Sequence, residues 1–130
     1  MSVACCASIR SLLAMDCLLF TQLVEDALKR LPRRFRQKLD NVVVLVEDYP
    51  ERELQRKHTG LLLGLFHGVP KTHQSVFAMS MPSRIVLYQK NIEAVCSSES
   101  EISQQIETTL KHEIGHYFGM TEKDLRRRGY

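Results

Sequence analysis

The chain has 130 residues, enough for one domain and not two. Its 44% apolar and 25% charged residues are ordinary globular values and exclude a disordered tail, a collagen-like chain and a coiled coil. The net charge of +3 is too small to argue for nucleic acid by itself, and runs such as Val42–Val46 fall far short of the ~18 apolar residues of a membrane span.

Met1–Ala14 carries one charge, Arg10, and has no clean apolar stretch, so it makes a poor signal peptide. Met15 precedes Asp16, a good helix N-cap. The reading is therefore an N-terminal extension over 1–14 that adds nothing to the fold, with Met15 as an alternative start and one domain over 15–130. The four cysteines, Cys5, Cys6, Cys17 and Cys96, form no CxxC pair. They read as reduced thiols, without a disulfide framework or a cysteine zinc site, and point to a cytoplasmic location.

Phe20, Leu23, Val24, Ala27, Leu28 and Leu31 fall on one stripe of an amphipathic helix, which Pro32 ends. Arg33 to Leu39 reads as a second short helix. Its basic residues, with Lys29 and Arg30, make a charged cluster. Asn41–Glu47 is rich in β-branched residues and predicts a buried strand. Asp48, Tyr49 and Pro50 turn the chain. Gly60–Gly68 predicts a second strand, and the proline-containing Val69–Pro82 a loop. Ser83–Lys90 alternates polar and apolar and predicts a third strand, placed at a sheet edge. Ser97–Ser100 offers N-caps for a helix from Glu101 to Phe118, which Gly119 stops. The expectation is a small α/β domain in the α+β arrangement, with about three strands.

The chemistry lies in Lys111–Asp124. His112 and His116 are four apart on the last helix, so their Cβ atoms lie ~5–6 Å apart on one face. Two imidazoles so placed converge on one ion at ~2.0–2.1 Å each. Glu113 projects toward the same side and is free to act as a base. A catalytic zinc site needs a third protein ligand and one open position. Gly119 lets the chain turn back, and Glu122 completes HExxHxxGxxE. Asp124 is the alternative third ligand. A shuffled chain of this composition would carry HExxH about once in a hundred, and the added Gly and acid lower that by roughly two orders of magnitude. His58, His67 and His73 lie in or beside expected loops and show no ligand spacing, although His67 and His73 stay within reach of the metal from the loop. Tyr88 and Tyr117 are expected to pack with their hydroxyls at the rim.

The chain resembles the minimal bacterial zincins, metallopeptidases with a matrix-metalloprotease-like active-site helix. The resemblance runs over Asp16 to Tyr130. It is carried by Phe20–Leu31 leading into LPRRFR, then NVVVLVEDYPE, LLGLFHGVP, PSRIVLYQKNIE and TLKHEIGHYFGMTEKDL. It implies a small sheet packed against an N-terminal helix and the active-site helix. It also implies one zinc ion held by His112, His116 and the acid at 122, commonly Asp in the family and here Glu122. Glu113 is the implied catalytic carboxylate. Larger metzincins have a methionine turn downstream; six residues follow Asp124 here, so none is expected.

The implied function is that of a zinc metallopeptidase, a hydrolase in which Glu113 serves as general base toward a zinc-activated water. The partner is a peptide or protein substrate, with no membrane. Zincins often pair an extended substrate with an edge strand, and Arg84, Ile85, Val86, Leu87 and Tyr88 are the residues expected to do so. The first alternative is a non-catalytic zinc-stabilised domain. The second is an anion-binding module using Arg30, Arg33, Arg34, Arg36 and Arg126–Arg128.

Overall fold

The computed structural model describes residues 3–5, 15–37, 39, 41–68 and 82–130. Strand β1 (Val3–Cys5) is followed by helices α1 (Cys17–Arg30) and α2 (Arg33–Arg36), then strand β2 (Val42–Glu47). Helix α3 (Arg52–Lys57) leads to β3 (Gly64–His67). Strand β4 (Ser83–Tyr88) runs into α4 (Gln89–Ala94), and α5 (Glu99–Tyr117) and α6 (Glu122–Arg127) complete the fold. The sheet order is β1-β2-β4-β3. β1, β2 and β4 are parallel, and β3 is antiparallel to β4.

The expected helices form for the expected local reasons. The Leu18 N–H donates to Asp16 Oδ1 (3.0 Å), capping α1. The Glu101 N–H donates to Ser98 Oγ (3.2 Å) at the start of α5. The last turn of α5 closes with the Met120 N–H on the Gly115 carbonyl and the Gly119 N–H on the His116 carbonyl, both 2.9 Å. Gly119 adopts φ 81°, the left-handed conformation that this closure requires.

The apolar stripe of α1 meets α5 over one face of the sheet. Phe20, Val24 and Ala27 pack with Ile106, Leu110 and Ile114 against Val44, Val46, Ile85 and Leu87. On the other face Leu62, Val86 and Tyr88 form a smaller cluster, with Leu54 of α3 packed against it.

Four expectations are corrected. Ser83–Tyr88 is not an edge strand: β2 pairs with one side of it and β3 with the other. Its run Ile85–Tyr88 is buried on both faces, as a central strand demands. Arg84, Ile85, Val86, Leu87 and Tyr88 therefore cannot accept a substrate strand. Val3–Cys5 does contribute to the fold, pairing with Val44–Val46 as a short edge strand. Cys17 is disulfide-bonded, whereas Cys96 is a free thiol. The return of the N-terminal strand beside α1, invisible to spacing rules, brings separated segments together. Tyr88 and Tyr117 are buried rather than at the rim. Burial, reinforced by Glu47, Glu51 and Glu113, pushes the Tyr88 hydroxyl up to about 12.

The second strand is shorter than expected. Its lead-in is held by side chains: Gln55 Nε2 donates to the Gly60 carbonyl (2.6 Å) and Asn91 Nδ2 to the Leu62 carbonyl (2.8 Å). The expected loop over 69–82 lies, except for Pro82, outside the described residues, as does His73. Among the described residues, no helix is long and apolar enough to cross a membrane.

Glu107 ties α1 to α5, pairing with Lys111 (3.0 Å) and Arg30 (3.5 Å). Lys111, with help from Arg30, holds its carboxyl below the usual range. A carboxyl lowered on folding stabilises above its unfolded pKa and loses that contribution as pH falls through the folded value. Glu107→Gln is therefore expected to cost about 0.5 kcal/mol at pH 7 and almost nothing near pH 3. Urea melts at the two pH values check this; an equal cost at both would refute it.

Candidate metal centre

His112 and His116 project from the same face of α5, with ring centroids 4.9 Å apart. The turn at Gly119 brings α6 back along this helix. Glu122, the first residue of α6, places one carboxylate oxygen 3.1 Å from His112 Nε2 and 2.8 Å from His116 Nε2. The three ligand atoms lie within 4.8 Å of one another, so the group could hold a metal ion. Partial burial works the other way, but the two imidazoles hold the Glu122 carboxyl below its usual range.

Asp124 is committed elsewhere. The Thr121 N–H and hydroxyl both donate to its Oδ2, at 3.0 and 2.6 Å, and the Asp124 N–H returns a bond to Thr121 Oγ1 at 3.2 Å. This capping box starts α6 and occupies the Asp124 carboxyl, which is not part of the convergent group. His67 ends β3 exposed and is not part of the convergent group.

The donor set fits a divalent cation. His116 Nδ1 lies 3.2 Å from the Met120 carbonyl, which can only accept, so this nitrogen carries the hydrogen. In a neutral ring, Nε2 then aims a lone pair at a carboxylate oxygen 2.8 Å away. A proton or a cation between them relieves that opposition. Two imidazole nitrogens and one carboxylate oxygen are an ordinary zinc donor set, and the Met120 carbonyl fixes the ring from behind.

Glu113 occupies the neighbouring flank of α5, against β3. It is buried, and the Phe66 N–H donates to its carboxyl. Burial pushes this carboxyl up to about 7, although His116 and the Phe66 N–H pull it down. The approach depends on Gly64. A Cβ there would stand 2.7 Å from Thr109 Cγ2 and 3.4 Å from Glu113 Cγ. On the opposite flank, a Cβ at Gly115 would stand 2.2 Å from Leu125 Cδ2. Two glycines thus let β3 and α6 close on α5 from both sides. A glycine inside a strand pattern signals close backbone approach, and that signal marks Gly64 in the sequence.

A cavity of about 320 Å³ opens at the group, with Leu61, Gly64, Thr109, His112, Glu113 and Glu122 in its wall. His58 also lines it, a role that its loop position did not suggest.

The zincin-like metallopeptidase family matches residues 39–130, and the chain belongs to that family. This establishes a zincin, a class of metallopeptidase-like α+β domains. In structure the chain is similar to a conserved hypothetical protein from Thermo thermophilus, with 25% identity, 85% of this chain and 97% of that chain covered, and a TM-score of 0.54. No curated protein matches it.

Proposed function

We propose that the protein is a zinc-dependent peptidase in which His112, His116 and Glu122 hold one zinc ion and Glu113 moves the proton. One observation carries this reading: two imidazole nitrogens and a carboxylate oxygen converge beside a buried carboxyl in the wall of an open cavity. A purely structural zinc site would be closed by protein, and this group opens onto a cavity, which favours catalysis over a bracing role.

Zinc supplies Lewis acidity, polarising a scissile carbonyl and making water acidic enough to lose a proton near neutral pH. The rest falls to the protein. Glu113 accepts the proton of the attacking water and returns it to the leaving amine nitrogen. A carboxyl raised to about 7 suits both transfers near neutral pH. The Phe66 N–H holds the carboxyl in one orientation.

The substrate strand moves from β4 to β3. Leu63 accepts from the Tyr88 N–H (2.9 Å), so alternation turns the polar backbone groups of Gly64 and Phe66 outward. The Phe66 N–H is taken by Glu113, and the remaining groups along this edge are positioned to pair with an extended peptide.

Glu113→Gln tests the reading. The variant is expected to keep its zinc and to lose peptide hydrolysis by about 10²–10⁴-fold, measured on a peptide library with metal analysis alongside. Undiminished turnover would remove Glu113 from its role. A zinc-loaded wild type that cuts nothing would leave only the metal-binding domain.

A further inference from the structure

A second concavity adjoins the metal cleft. It measures about 810 Å³ and lies under α3, and Leu61 lines both it and the metal cleft. Among its described lining residues, Arg52 and Arg56 contribute the only charges. None of the ion pairs among the described residues involves either guanidinium. Tyr49 and Leu61 stand beside them, 64% and 44% exposed, and add apolar surface.

This surface is held rigidly against the metal cleft. Gln55 of α3 accepts the Leu62 N–H (3.1 Å), and Asn91 Nδ2 bridges Gln55 Oε1 (3.1 Å) and the Leu62 carbonyl (2.8 Å). Helix α3 cannot drift from the Leu61–Gly64 segment without breaking these bonds. The backbone of α3, from which the two exposed arginines project, is therefore anchored beside the metal cleft.

We propose that this concavity is a substrate subsite that takes a carboxylate, so that the enzyme selects peptides bearing an acidic group a short way from the scissile bond. The proposal rests on the peptidase reading above. Strand β3 begins at Gly64, three residues after Leu61, and an extended chain advances ~3.3 Å per residue, so a peptide that leaves the outer edge of β3 at Gly64 spans the way to Leu61 with about three residues. Its backbone is held by the strand edge, its apolar atoms by Tyr49 and Leu61, and its carboxylate by the guanidinium groups of Arg52 and Arg56. The carboxylate comes either from an Asp or Glu side chain or from the peptide's own C-terminus.

Binding to the zinc-loaded Glu113→Gln protein separates this proposal from turnover. Fluorescently labelled neutral peptides are compared with the same peptides carrying one Glu at each position in turn, and with free-acid against amidated C-termini. The expected result is about three- to tenfold tighter binding for one placement, weakening with added salt. Arg52→Ala combined with Arg56→Ala is expected to abolish that gain. In the active enzyme the gain appears in KM, with kcat little changed. A gain from an internal Glu assigns the subsite to side chains, and a gain from the free acid alone assigns it to the chain terminus. No gain from any placement or terminus, or a gain that survives both substitutions, overturns the proposal. Cleavage without acidic preference would sink the subsite and spare the peptidase. Acid-dependent binding without any cleavage would do the reverse.

Discussion

Replacing His112 or His116 with alanine is expected to take the protein from one zinc per chain to almost none. Two remaining donors, one a carboxylate at an exposed position, do not hold zinc against a competing chelator. The loss should come without unfolding. The side of α5 that holds the fold together carries Ile106, Leu110, Ile114 and Tyr117, and the histidines point away from that core. Elemental analysis after dialysis, paired with a circular dichroism melt, tests both halves. A His112→Ala protein that retains a full complement of zinc would show that the ion lies elsewhere. Loss of fold together with zinc would instead identify a site that braces the domain.

Gly115→Ala is expected to weaken zinc binding by about ten- to a hundredfold although Gly115 touches no ligand atom. Alanine favours a helix interior by about 1 kcal/mol over glycine, so local propensity predicts a stabilised protein. The packing predicts the opposite. The new methyl would fall 2.2 Å from Leu125 Cδ2 and 3.5 Å from Met120 Sδ. Overpacking of this kind costs about 1–3 kcal/mol, and because Leu125 is fully buried, with little room to rotate, a retreat of α6 is the expected relief. Leu125 and Glu122 stand three apart on that helix, so the retreat carries the carboxylate away from the imidazoles. Met120, whose carbonyl steadies His116, sits in the same turn. Chelator competition measures the affinity. Trimming the obstructing side chain in Gly115→Ala/Leu125→Ala should recover part of it. Unchanged affinity in a folded Gly115→Ala protein would mean that α6 does not set the position of Glu122.

Both expectations concern one helix that was largely legible in advance. The i, i+4 spacing of His112 and His116, the serine cap and the stop at Gly119 are all short-range features. Asp16 and the stripe from Phe20 to Leu31 defined α1 in the same way. Strand β2 was legible from its β-branched run. The short helices α3, α4 and α6 were not, because six residues hold too few turns to display a period. Helix α6 had a signal that could have been read: Thr121 followed three residues later by Asp124 resembles a capping box.

The chain's own residues determined helices α1 and α5 and placed two imidazoles and a carboxylate in one helical segment, since those relations are set within a turn or two of backbone. Only the tertiary structure decided that β4 lies inside the sheet and β3 at its edge, because hydrogen-bonded strand order depends on segments far apart in the chain. It alone brought Arg52 and Arg56 to a cavity that shares Leu61 with the histidine cleft. And it turned Asp124 to its cap and Glu122 toward the histidines, because α6 docks where Leu125 meets the bare backbone of Gly115.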